Sequence, residues 1–328
     1  MKKYFVLIIL SLLILNITLI NAIQNNSSTQ NISKIQNISK FKSNLNPQNP
    51  EIKVGIYVLN LGKFDISTGA FTADFYLSLK CDDACPKQDF EFMNGRASSI
   101  DKITDNPNEK LYRIQANLNS PIDLKKFPYD KQKIQIIIED KTQTSDKVKY
   151  VPDEKASGID NSVSFSGWVM NNYTQTIEEH YYEPYEETYS QYIFTIPISK
   201  IILNSTIKTI LPVIFIIIVM LSSFILDIDK ITTRVAMVSS ALVASVMFHV
   251  SLANQIPPVS YLTFMDKFMV LTYFVILISF AINVLIMELT KKEKNHELVE
   301  KLHHRTEYTM LILVPILYLL LFIFVFVL

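Results

Sequence analysis

The side chains with chemistry to offer fall in two stretches. In EEHYYEPYEETY, Tyr181, Tyr182, Tyr185 and Tyr189 stand among Glu178, Glu179, Glu183, Glu186 and Glu187. Aromatic faces and carboxylates together suit a cation, and an amine, a divalent ion or a proton each meets that description. A solvated acidic segment whose tyrosines only pack would read the same way. In the second stretch, residues 234–263, Ser239, Ser240, Ser245, His249 and Ser251 interrupt an otherwise apolar run. In hydrocarbon such groups face other helices or a water-filled path. On a 3.6-residue period Thr232, Ala236, Ser240, Val243, Met247 and Val250 form one stripe that runs from polar to apolar. A pore-lining helix would show this, and a helix inside a transporter bundle would show something close to it. His249 lies one residue off the stripe. Its charge could change near neutral pH, although a neutral histidine bonded to a neighbouring helix is the plainer role.

Catalytic chemistry finds no support. Residues 51–202 hold no HExxH, GxSxG, P-loop or paired CxxC pattern, and the histidines there are too few and scattered for a metal cluster. The residues call for no cofactor and no metal. Cys81 and Cys85, in KCDDACP, are the only cysteines. In an exported domain two thiols this close could join, with free thiols or a weak metal site as alternatives. Basic and acidic residues balance at 31 each, which gives no hint of nucleic-acid binding.

The elements that must position these residues divide the 328-residue chain. Hydrophobic residues reach 49 % while charged residues still reach 19 %, so membrane and soluble material must be segregated along it. Residues 1–22 carry two lysines, an apolar run and Ala22 where a signal peptidase could cut, with a retained anchor helix as the alternative. Residues 23–50 are rich in Asn, Ser and Gln and predict a disordered leader whose Asn-x-Ser triplets could be glycosylated. From 51 to 203 short alternating runs broken by turn residues predict an all-β sandwich. Residues 204–328 hold four apolar runs of membrane-span length, about 207–226, 235–256, 266–289 and 308–328. The segments 227–233 and 290–306 read as inner loops, and the latter carries Lys291, Lys292, Lys294, Lys301 and Arg305. Segment 253–263 has no basic residue, so positive charge on the inner side puts the sandwich outside the plasma membrane.

Four motifs, in order, carry a resemblance. Phe127-Pro128-Tyr129-Asp130-Lys131-Gln132 resembles the FPFDxQ signature of the pentameric ligand-gated ion channel superfamily. Gly167-Trp168 resembles its short glycine-tryptophan strand, Pro212 the proline of its first span, and Ile256-Pro257 through Tyr261-Leu262-Thr263 the loop after its second span. The two cysteines that flank the signature in eukaryotic members are replaced by Ser120 and Ile134, as in the prokaryotic-type branch. The stretch between Lys80 and Leu111 is shorter than usual and lacks the WxPD-type segment.

The resemblance implies an extracellular sandwich followed by a four-helix transmembrane bundle, assembled as a homopentamer in lipid with a central pore for inorganic ions. The stripe from Thr232 to Val250 falls on the lining positions, with Val243 as an apolar barrier, and Arg234 on a basic position at the inner end of the pore helix. Cation-selective relatives carry a glutamate where this chain has Thr232 and Thr233; Asp227 and Asp229 lie nearby, opposed by Lys230 and Arg234. These charges lean towards cations. An agonist, a small molecule or ion, would sit under the aromatic hairpin at Tyr181, Tyr182, Glu183, Tyr185 and Glu186. Asp65, Asp130 and Lys200, facing Pro257, Pro258 and Tyr261, would pass its binding to the pore, although Asp130 also suits a plain turn. A non-conducting pentameric sensor of the same fold is the competing reading, and a secondary transporter a weaker one.

Overall fold

The computed structural model describes residues 50–326 apart from 88, 166 and 292–295. The expected signal segment and nearly all of the expected leader lie outside the described residues. The chain divides into two compact units, one built from sheets and one from helices.

In the sheet unit, eleven strands form two layers. The first sheet runs in the order β4 (Gly95–Asn106), β5 (Glu109–Asn119), β2 (Ala70–Lys80), β1 (Glu51–Leu61), β7 (Lys149–Pro152), with β8 (Gly158–Ile159) also on β1. The second runs β10 (Thr174–Tyr182), β11 (Glu187–Lys200), β6 (Lys131–Asp140), β3 (Phe90–Phe92), with β9 (Trp168–Met170) on β11. Alternation decides the facing of each strand. On β5, Tyr112, Ile114, Ala116 and Leu118 are buried while Arg113, Gln115 and Asn117 are exposed. Ile134, Ile136 and Ile138 of β6 enter the same core as Phe75 and Leu77 of β2. Gly69 turns the chain between β1 and β2 at φ +75, where a Cβ would stand 2.1 Å from the Ser120 carbonyl oxygen.

Besides the short β3, β7 and β8, two longer strands have no counterpart among the alternating runs. β4 is an edge strand with no fully buried residue and only Ala97 against the core, so it carries little period-2 apolar signal. β10 is half-exposed along its length. Conversely, the run VSFSGWVM forms a strand only at its end, β9; Val163 and Phe165 reach the core from irregular chain. Cys81 and Cys85 are joined in a disulfide with their Cα atoms 5.3 Å apart.

The helical unit contains α1 (Ile202–Ile225), α2 (Ile231–Ala253, entered through a 3-10 turn at Ile228–Lys230), α3 (Phe264–Lys291) and α4 (His296–Phe326), each long and apolar enough to cross a membrane. Pro212 lacks an N–H, and just before it α1 widens into a π-helical turn, Thr206–Ile210, in which the Leu211 N–H reaches the Thr206 carbonyl. The fourth helix begins well before the expected start at 308. Residues 296–306 are helical rather than loop, because the charged first turns continue the helix that the apolar run completes. The segment Leu124–Tyr129, which contains the cis Phe127–Pro128 bond, belongs to this unit and not to the sheets between which it lies in sequence.

Candidate functional site: the second helix and its anchors

Helix α2 has two faces of different character. Arg234, Val238, Ala241, Ser245 and Leu252 are buried against the rest of the unit. The predicted stripe lies away from them: Thr232, Ala236 and Ser240 are exposed, and Val243, Met247 and Val250 are 57–69 % exposed in the single chain. Ser239 and Ser245 donate to carbonyls of their own helix, Val235 and Leu242, which removes them from the polar face.

Arg234 does not lie on that stripe. Its side chain is fully buried, its Nη1 donates to His303 Nδ1 at 3.1 Å, and its guanidinium stands over the Phe224 ring at 5.6 Å. One acceptor and one π face offset part of the cost of burying the guanidinium, whose Nε and Nη2 have no hydrogen-bond partner among the described residues. Of the two cations expected to oppose Asp227 and Asp229, Arg234 is turned into the bundle and Lys230 is exposed. Asp227, Asp229 and Lys230 remain exposed at the inner end. His303, His304 and Glu307 form the cluster of metal-ligand type among the described residues. A guanidinium already donates to His303 there, and a fixed cation beside the donor set disfavours a second one. Reading residues 290–306 as a loop concealed this cluster, since its spacing acquires meaning only on a helix.

At the other end of α2, Tyr261 and the first turn of α3 meet the 124–129 segment. Leu124 N–H donates to Tyr261 Oη at 2.9 Å, Phe264 N–H donates to the Lys125 carbonyl at 2.8 Å, and Lys125 Nζ stands 5.8 Å above the Tyr261 ring. Tyr129 bonds Thr206 through its hydroxyl at 2.9 Å, and burial holds that hydroxyl above the usual tyrosine pKa. His249 is bonded to α3, at 2.8 Å from Tyr273 Oη and 3.3 Å from Asp266 Oδ1.

Within the sheet unit, the carboxylate of Asp130 is buried, accepts from Gln132 Nε2 at 2.9 Å and lies 3.8 Å from Lys200 Nζ. Lys200 also stands 5.4 Å above the Trp168 ring. Two of the three expected charged residues are thus brought together. Asp65 is committed to its own turn, accepting from Ser67 N–H at 2.9 Å and Thr68 Oγ1 at 2.9 Å, and the Ser67 hydroxyl foremost holds its carboxyl below the usual range.

The aromatic stretch is the β10–β11 hairpin, with Glu186 in the left-handed region at φ 54. Tyr181, Glu183, Tyr185 and Glu186 are exposed around its tip. Tyr182 turns to the opposite face, where its ring packs 4.3 Å from His180 and 5.6 Å from Tyr189. On that face lies Glu139, buried, with its Oε2 2.9 Å from His180 Nδ1 and accepting from Gln191 Nε2 at 3.1 Å. Burial, then Glu139, pushes the Tyr182 hydroxyl up to about 12. Sequence reasoning missed Glu139 and His180. The signal was the Glu-Asp pair that closes the apolar run of β6, because a carboxylate on a buried strand needs partners.

No family model matches the chain. A curated relative described as a proton-gated ion channel, from Gloeobacter violaceus, is 21 % identical over 183 residues, 55 % of this chain. The chain spans about half the length of that relative, 50 %. A β-sandwich followed by four long apolar helices is the architecture that the sequence motifs led one to expect. Its four helices are long and apolar enough for a multi-pass membrane protein, and the relative is described as an ion channel. Phe127, Pro128 and Tyr129 of the FPYDKQ motif fall in the helical unit, and Asp130, Lys131 and Gln132 in the sheet unit.

Proposed function

We propose that the chain is one subunit of a homopentameric channel in the plasma membrane, opened by an extracellular ligand or ion and passing cations. In this reading residues 1–22 are a secretory signal, 51–203 the outer ligand-binding-like domain and 204–328 the pore domain. The observation that carries it is the exposed stripe of α2. A helix buries the side chains that its own bundle can use, and α2 leaves Thr232, Ala236, Ser240, Val243, Met247 and Val250 unused on one face. Hydroxyls on that face gain nothing from lipid tails and gain hydration from a water path. Fivefold repetition of the exposed Asp227 and Asp229 at the inner end favours cations.

The hairpin supports the nature of the opening signal. Its exposed carboxylates and tyrosines attract cations, and a proton is the smallest of the three candidates beside amines and divalent ions. The similarity to a proton-gated channel ranks the proton first. Asp130, Lys200, Pro257, Pro258 and Tyr261 are then the groups that pass the signal on, with Asp65 shaping the turn that precedes β2.

Purified full-length protein in planar bilayers, stepped in external pH and then exposed to amines and Ca2+, tests the reading. We expect acid-evoked current whose reversal potential follows the cation gradient, from a particle of five chains by native mass spectrometry. Five chains without current across the whole panel would leave a non-conducting sensor of the same fold.

A further inference from the structure

His249 sits on α2 between the apolar stripe residues Met247 and Val250, and both of its ring nitrogens are engaged by α3. An ionised carboxylate can only accept, so Nε2 carries the hydrogen towards Asp266 and Nδ1 accepts from the Tyr273 hydroxyl. The ring also lies against Tyr273, 5.7 Å between centroids. Asp266 is itself part of a reciprocal cap. Its Oδ2 accepts from Thr263 N–H and Oγ1, both at 2.8 Å, while its own N–H donates to Thr263 Oγ1 at 3.1 Å. The residue after Thr263, Phe264, donates its N–H to the Lys125 carbonyl. Position 266 therefore faces two ways, one oxygen holding the start of α3 and the other holding α2.

We infer that His249 is the positioning residue that ties the outer half of α2 to the α3 cap, so that displacement of the 124–129 segment reaches the apolar stripe through Lys125, Phe264, Asp266 and His249. The inference rests on the channel reading. In a medium of low dielectric a satisfied chain of hydrogen bonds is stiff, and losing one member leaves the others unpaired. The charged and titratable groups facing His249 in this arrangement are Asp266 and Tyr273, both on α3.

Two substitutions separate a relay from packing. His249→Gln keeps an acceptor and a donor, and His249→Phe keeps the ring volume without either. In the full-length protein in bilayers, with external protons as the probe, the relay requires Phe to shift the midpoint of opening by roughly tenfold and Gln to restore most of it. Asp266→Asn should add little in the Phe background although it acts in wild type. A packing role gives the reverse order, with Phe near wild type and Gln impaired, and overturns the inference while the channel stands. Wild-type protein that never conducts overturns the channel reading and the relay with it. Nitrogen-15 spectra of the histidine side chains provide a check without current: the resonance that disappears in His249→Gln must move in both Tyr273→Phe and Asp266→Asn. A resonance that moves in neither overturns the proposed bonds.

Discussion

Val243 presents a β-branched apolar side chain from the middle of the exposed face of α2, one turn outward of Ser240. In the proposed pentamer a ring of five such groups would expel water from a narrow path and block ions without touching them. Val243→Thr is close to isosteric but adds a hydroxyl, which hydrates the ring. The expected result is current without agonist, or a midpoint lowered roughly tenfold, equivalent to about 1.4 kcal/mol between shut and open states. Single-channel recording checks it, and wild-type gating in Val243→Thr together with leak in Met247→Thr would move the barrier one turn outward. Asp65 gives a second test at this scale. Its folded carboxyl lies below the ordinary 3.8 because Ser67 and Thr68 donate to the charged form. A lowered pKa adds stability that is complete above the unfolded value and disappears as pH falls through the folded one. The melting difference between wild type and Asp65→Asn should therefore hold steady from pH 7 to 5 and narrow below 3.8. A difference that already closes between pH 7 and 5 would mean that another group is titrating.

The β10–β11 hairpin behaves as an element with two functions divided by the pleat. One face holds His180, Tyr182 and Tyr189 over the buried Glu139, which makes the base of the hairpin rigid. The tip carries Glu183, Tyr185 and Glu186 in solvent. If the tip gathers the cation that opens the channel, replacing Glu183 and Glu186 together by Gln raises the concentration needed for half-opening, several-fold, and leaves the melting temperature within a degree or two, since exposed charges contribute little to stability. Dose–response curves decide it. An unshifted curve removes the tip from the binding site and leaves the Glu139 face as the place to search.

For the whole molecule, selectivity in the proposed pentamer separates the charges exposed at the inner end from those that are buried. Asp227 and Asp229 are exposed at the inner end of α2, whereas Arg234 is fully buried against Phe224 and His303. Neutralising both aspartates as Asn should lower the cation-to-anion permeability ratio in asymmetric NaCl. Arg234→Gln should leave that ratio unchanged while reducing the yield of assembled protein, because it removes a donor from a packed inner junction. A selectivity change in Arg234→Gln would put the guanidinium in the path after all.

Much of this architecture was readable in the order of residues. Four runs of span length, the alternation of β1, β2, β5 and β6, and the Thr232–Val250 stripe are set by local periods, since bilayer thickness, the pleat and the helical turn each impose a repeat on neighbouring residues. The decisions left to tertiary structure all concern partners distant in sequence. Arg234 finds His303 69 residues away, and His180 finds Glu139 41 residues away. His249 finds Asp266 and Tyr273 on the next helix, and Leu124 finds Tyr261 137 residues away. β4 was invisible for the opposite reason, since an edge strand that buries none of its residues fully needs little apolar period. Periodicity says which face of an element is used. Which side chain answers it depends on packing, because a polar group removed from water takes whichever donor or acceptor the fold brings within about 3 Å.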